Sequence, residues 1–131
     1  MALYSDLQSQ YLLLDFLATH DQLLFRSLKN SKREYNVDII FKGAHNLLLP
    51  SILKGIEITE IDKTNKDWSL LENFGFESKH SKIFSVKNVE GRQYYINAGA
   101  FGIFHNRLDT LETSLGRYDW SDLGEMISWY N

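Results

Sequence analysis

The sequence predicts an α+β fold: a mostly antiparallel, strongly twisted sheet flanked by an N-terminal helix, a short middle helix and a C-terminal helix. Three observations predict it. Apolar residues near both termini recur at helical spacing, the stretches between them alternate in the period of a strand, and no strand–helix–strand repeat calls for a parallel sheet. The 131 residues have the length of one domain, taken as residues 1–131. With 44% hydrophobic and 14% aromatic residues against 24% charged ones, the chain has the material for a core.

In chain order, Ser5 and Gln8 form an S-x-x-Q capping box before Tyr11, Leu14 and Ala18, which predicts a helix over 5–19. Leu13, Phe16 and Leu17 widen its apolar arc beyond what one packing face needs. "YNVDIIFK" (35–42) alternates except at Ile40 and reads as a half-buried strand. Pro50, the only proline, makes 47–50 an edge segment or strand end, and "GIEITEI" (55–61) is a further strand. "TNKDWSLLENFG" (64–75) reads as a short helix with Trp68, Leu71 and Phe74 inward and Gly75 as its stop. Residues 82–89 and 92–98 read as a hairpin in which Phe84 and Val86 face Tyr94 and Ile96. "AFGIFHN" and "LDTLETSL" supply one or two more strands. Asp119 and Asp122 are placed to cap a last helix lined by Trp120, Leu123, Ile127 and Tyr130.

Composition excludes several chemistries. There is no cysteine, hence no disulfide, thiolate metal site or cysteine nucleophile, which suits a reducing cytoplasm and is also compatible with a bacterial periplasm. Asp15 interrupts the first apolar run and no basic segment precedes it, so no signal peptide is expected. No apolar stretch approaches the ~20 residues that span a bilayer, and a net charge of −3 gives no general attraction to nucleic acid or acidic membranes. A soluble, cytoplasmic protein without nucleic-acid or membrane partners is the expectation.

"YYINAGAFGIFHN" (94–106) is the most suggestive stretch. Its two glycines, Gly99 and Gly102, lack the third glycine and following helix of a dinucleotide-binding turn, and fit a bend where a curved sheet lets another group approach. His20, His45, His80 and His105 show no metal-ligand spacing, so no metal or cofactor is expected. His45 and His105 each precede an asparagine at an expected strand end, where with Asp109 they would form an acid–base group if those ends met. Glu57, Glu60 and Asp62 read as a solvated strand edge. Lys29, Lys32 and Arg33, and Lys79, His80, Lys82 and Lys87, form two basic turns; with Tyr94 and Tyr95 they would suit a small single-strand platform, but the acidic balance favours lysines that keep sheet edges apart.

An aromatic and apolar surplus remains, and tyrosine and tryptophan carry many protein interfaces. The small, acidic, cysteine-free profile is similar to that of uncharacterised bacterial cytosolic proteins and of toxin-neutralising immunity proteins, a likeness of class and not of motif. The expected function is a non-catalytic protein-interaction module, self-associating as a homodimer or binding a protein partner, with Leu13, Phe16, Leu17, Trp129 and Tyr130 at the interface. The alternative is a small-molecule pocket in the curved sheet, built from His45, Tyr94, Gly99, Gly102 and His105, with weak histidine acid–base chemistry.

Overall fold

The structure is a computed structural model, and it describes residues 2–116 and 124–131. Its strands are β1 (Tyr4–Leu17), β2 (Gln22–Ser27), β3 (Asn36–Lys42), β4 (Asn46–Leu48), β5 (Ile52–Ile61), β6 (Lys82–Lys87), β7 (Gln93–Ala98), β8 (Ala100–Asn106) and β9 (Glu125–Tyr130). Among the described residues one α-helix, α1 (Trp68–Asn73), interrupts them. These nine strands join one sheet in the order β4-β7-β6-β5-β1-β2-β3-β8-β9, and every pairing among the described residues is antiparallel.

This corrects the α+β expectation: the fold is nearly all sheet. Residues 5–19, expected as a helix, are strand β1 followed by a 3-10 turn at Ala18–His20, and the expected C-terminal helix is strand β9 over its described residues. Bulges explain both misreadings. In β1, Leu7, Gln8 and Ser9 lie opposite Gly55 alone, and Leu14 is an extra residue between Leu13, opposite Phe25, and Asp15, opposite Leu24. In β9, Ile127 is extra between Met126, opposite Phe104, and Ser128, opposite Ile103. Each bulge resets the two-residue alternation, so apolar residues fall three or four apart and imitate a helical face. The caps proposed at Asp119 and Asp122, with Trp120 and Leu123, lie outside the described residues.

Other elements stand where the sequence put them. Phe84 pairs with Ile96 and Val86 with Tyr94 in the β6–β7 hairpin. The middle helix forms and buries Trp68 and Leu71, although Phe74, expected inward, is exposed. "LDTLETSL" contains no strand and is an irregular cover.

The sheet rolls on itself. Phe84 on β6 and Phe101 on β8, with four strands between them in the sheet, meet at a centroid distance of 5.4 Å, and Phe41 on β3 lies 5.1 Å from Phe101. These rings fill the bore together with Tyr11, Phe25, Ile56 and Ile96. Gly55 sits under the first β1 bulge at φ +81, where a Cβ would come within 3.2 Å of the Leu7 Cα.

The outer face is covered twice. Over β6 and β7, α1 and the residues after it set Trp68, Leu71 and Phe76 against Ile83 and Tyr95. Over β2, β3 and β8, the segment 107–116 sets Leu115 against Leu24, Ile40 and Phe104, with Leu14, Leu17 and Trp129 at its border. Beneath this second cover lies an ion pair with no exposed surface. Arg26 Nε donates to Asp38 Oδ1 at 2.6 Å and Nη2 donates to Oδ2 at 2.9 Å, across paired positions of β2 and β3. The second carboxylate oxygen also accepts from Asn106 Nδ2 (2.7 Å) and Ser114 Oγ (2.8 Å), while Arg26 Nη1 reaches the carbonyl oxygens of Asp109, Thr110 and Glu112.

Because each charge is compensated only by these neighbours, removing one partner strands the other in a dry site. Asp38→Ala is expected to lower the unfolding free energy by about 3–5 kcal/mol, read from urea denaturation. A loss below about 1 kcal/mol would mean that water reaches Arg26 and the pair is not sealed.

Candidate functional site

The five residues of the expected small-molecule pocket do not converge. His105 pairs with Val37 near the start of β3, whereas His45 follows the end of that strand, past Lys42. The five-residue span between Val37 and Lys42 separates them by roughly 17 Å of strand. Asp109 lies in the outer cover, where its carbonyl oxygen accepts from Arg26. Gly99 is near His45's end, and its amide donates to the Lys42 carbonyl. Tyr94 and Gly99 line separate clefts.

Gly102 turns to the outer face. A Cβ built there would stand 2.6 Å from Trp129 Cε3 and 2.9 Å from Phe104 Cε2, so the missing side chain makes room for the tryptophan ring. A valine at this position meets that ring and not the bore of the sheet.

The expected interface residues are partly spoken for. Leu13 and Tyr130 pack against the inner core, Tyr130 stacking on Phe101 at 4.7 Å. Leu17 and Trp129 pack at the border of the outer cluster, and Phe16 is the most open of the five at 37% exposure.

A cleft of about 470 Å³ opens elsewhere, between α1 and the short edge strand β4. Leu70 and Leu71 of α1 form one wall, Leu48, Leu49 and Pro50 the other, and Tyr94 and Tyr95 of β7 the floor. Leu70 is 52% exposed and Leu48 38%, so the cleft presents aliphatic surface outward. Its polar corner is Asp67, whose carboxylate accepts from the Tyr95 hydroxyl and lies 3.6 Å from Lys66 Nζ. Burial first, and then this hydrogen bond and the negative charge of Asp67, push the Tyr95 hydroxyl above its ordinary pKa, so it stays a neutral donor. Sequence reasoning missed Leu70, but left a signal: it is an apolar residue out of phase with the buried Trp68 and Leu71.

A second, more polar cleft of about 410 Å³ separates the β1 bulge from the β2–β3 loop. The bulge is pinned by Asp6, which accepts from the Gln8 amide (3.2 Å) and the hydroxyl of the fully buried Tyr11 (2.8 Å). Burial alone would raise the Asp6 pKa, but bonds from Tyr11, Ser9 and Gln8 outweigh it and hold the carboxyl below its ordinary range. Across the cleft, Arg33 lies over the Tyr35 ring, which in turn stacks on His105 at 4.2 Å.

No family model, no curated protein and no solved structure matches the chain. Among the described residues no group of three or more histidines, aspartates or glutamates is arranged to hold a metal ion, and no helix is long and apolar enough to cross a membrane.

His105 connects this region to pH. Burial lowers its pKa below the ordinary value of 6.5; Glu125 opposes the shift and Arg33 adds to it. The unfolded chain therefore takes up the proton first on acidification, and stability falls as pH drops through about 6.5, levelling below the folded-state pKa. The thermal midpoint is expected to fall more between pH 7 and pH 5 in the wild type than in His105→Phe, which keeps a ring against Tyr35. Equal pH dependence in the two proteins would remove His105 as the cause.

Proposed function

We propose that the protein is a non-catalytic interaction module, and that the cleft between α1 and β4 receives an apolar segment of a partner or of a second copy. The cleft carries this reading. Its exposed walls are aliphatic, Leu70 and Leu48, around a tyrosine floor, with one hydrogen-bonded polar corner. Interfaces concentrate energy at such apolar pockets with a buried aromatic and a polar rim. The edge strand beside it, β4, pairs only with β7 among the described residues, so the groove borders unpaired backbone.

Two observations support this over a ligand held inside the curved sheet. The bore is filled by the mutual contacts of Phe41, Phe84 and Phe101. His45 and His105, the groups offered for acid–base chemistry, stand at opposite ends of β3. A cytoplasmic setting and an immunity-type role, in which a small acidic protein masks another protein, fit the cysteine-free, net-acidic sequence.

Leu70→Asp tests the reading, because an exposed helix position tolerates the change within about 0.5 kcal/mol. The native protein is expected to sediment as twice the chain mass or as a one-to-one complex with a co-purifying protein, and Leu70→Asp to weaken that association roughly tenfold or more with an unchanged thermal midpoint. A bare monomer from the native host, or an assembly indifferent to Leu70→Asp and Leu48→Lys, would contradict it.

A further inference from the structure

We infer that the notch between β1 and the β2–β3 loop binds an acidic, extended segment of a partner protein, which adds to β1 as a strand and sets its carboxylates on Arg33 and Lys29. The proposal concerns the polar cleft and does not rest on the apolar one beside α1.

The notch exists because β1 outruns its neighbour. Pairing with β2 starts at Leu12, opposite Arg26, and β2 ends at Ser27, after which the chain swings away into the Asn30–Arg33 turn. Over Tyr4–Tyr11, β1 therefore has a strand on one side only, β5, among the described residues. Gln8 and Gln10 are exposed along the bare side. The Gln8 and Ser9 amides on this edge are bonded to the Asp6 carboxylate, and the remaining backbone groups form the template for an incoming extended chain. Gln8 and Gln10 stand two residue rises apart, roughly 7 Å, which three added residues would cover.

The opposite wall selects the charge. Lys29 and Arg33 line the cleft and no carboxylate does. Asp6, the nearest acid along β1, is committed to the Gln8 amide and the Tyr11 hydroxyl. Arg33 is fixed in advance: Nε donates to the Tyr35 carbonyl (3.0 Å), and Nη2 donates to the Ser27 carbonyl and hydroxyl (2.9 Å each) and the Leu28 carbonyl (3.1 Å). Its Nη1 takes no part in these bonds, which leaves two N–H donors on a guanidinium that loses little freedom on binding. Lys29 is steadied by the Arg107 carbonyl at 3.1 Å. A carboxylate is the natural complement of such a pair. A nucleic-acid strand is disfavoured because no aromatic ring lines the cleft for bases to stack on, and the chain is net acidic.

The test is fluorescence anisotropy at low salt with fluorescein-labelled hexaglutamate, using the full chain. Hexaglutamate is expected to bind, and hexaglutamine to bind roughly tenfold more weakly or worse. Arg33 also clamps its loop, so the informative variants are Lys29→Gln, and Gln10→Glu, which adds a carboxylate to the β1 wall without touching that clamp. Each is expected to weaken hexaglutamate about fivefold or more, with the thermal midpoint unchanged. Binding that ignores both variants, tighter binding of a ten-nucleotide oligothymidine, or displacement of the peptide by equimolar inorganic phosphate would each overturn the proposal. The last would reduce the notch to a pocket for small anions.

Discussion

Arg26 and Asp38 face one another from β2 and β3 with no exposed surface, and the outer half of the molecule is organised around them. A charge taken out of water costs several kcal/mol unless its partner and its hydrogen bonds are all in place. Here they are: two bonds join the pair, Asn106 and Ser114 complete the carboxylate, and three carbonyl oxygens of residues 109–112 complete the guanidinium. Those carbonyls belong to a segment with no strand or helix of its own. The pair gives that segment a position, and the position lets Leu115 close over Leu24, Ile40 and Phe104. A buried pair of this kind is weak evidence for added stability, because desolvation offsets much of the attraction; what it fixes by its hydrogen bonds is the path of residues 109–112.

The cover then makes the central strands two-sided. β3 is buried at six consecutive positions, Asn36 to Phe41, with Val37, Ile39 and Phe41 inward and Asp38 and Ile40 outward. Much of what was hard to read in the sequence follows from this. Ile40, which breaks the alternation of an otherwise half-buried strand, marks the second buried face, and Asp38, on the polar phase of that alternation, holds the buried ion pair. In β1 and β9 the reading failed for a different reason. Extra residues at Leu7–Ser9, Leu14 and Ile127 shift the phase of the strand, and apolar spacing of three and four is then the same whether a helix or a bulged strand produces it. The β6–β7 hairpin, which has no bulge, was legible as a hairpin that sets Phe84 and Val86 against Tyr94 and Ile96, although its strands stop at Lys87 and restart at Gln93.

The candidate sites were less legible because they depend on which elements meet. Tyr94 is expected from the sequence in a pocket of the curved sheet with His45 and His105, whereas the cleft it lines is completed by Leu70 and Leu48, from elements that come together only in the fold. Arg33 and Lys29 were visible as a basic turn, yet nothing in the chain shows that β1 runs past them with a bare edge. Both clefts share one cause. The sheet is built from strands of unequal length, β4 with three residues and β1 with 14, and the places where a long strand outruns a short neighbour are where the surface opens.

The most direct measurement is native-state hydrogen exchange in Asp38→Asn, which keeps the shape of the side chain and removes its charge. If the buried pair holds the outer cover, the amides of Leu108 and Leu115 and those of β2, β3 and β8 lose protection together, while β6 and β7 on the far side of the sheet keep theirs. A uniform loss across the whole sheet, or protection of residues 108–115 unchanged from the wild type, would contradict the claim that this pair positions the cover.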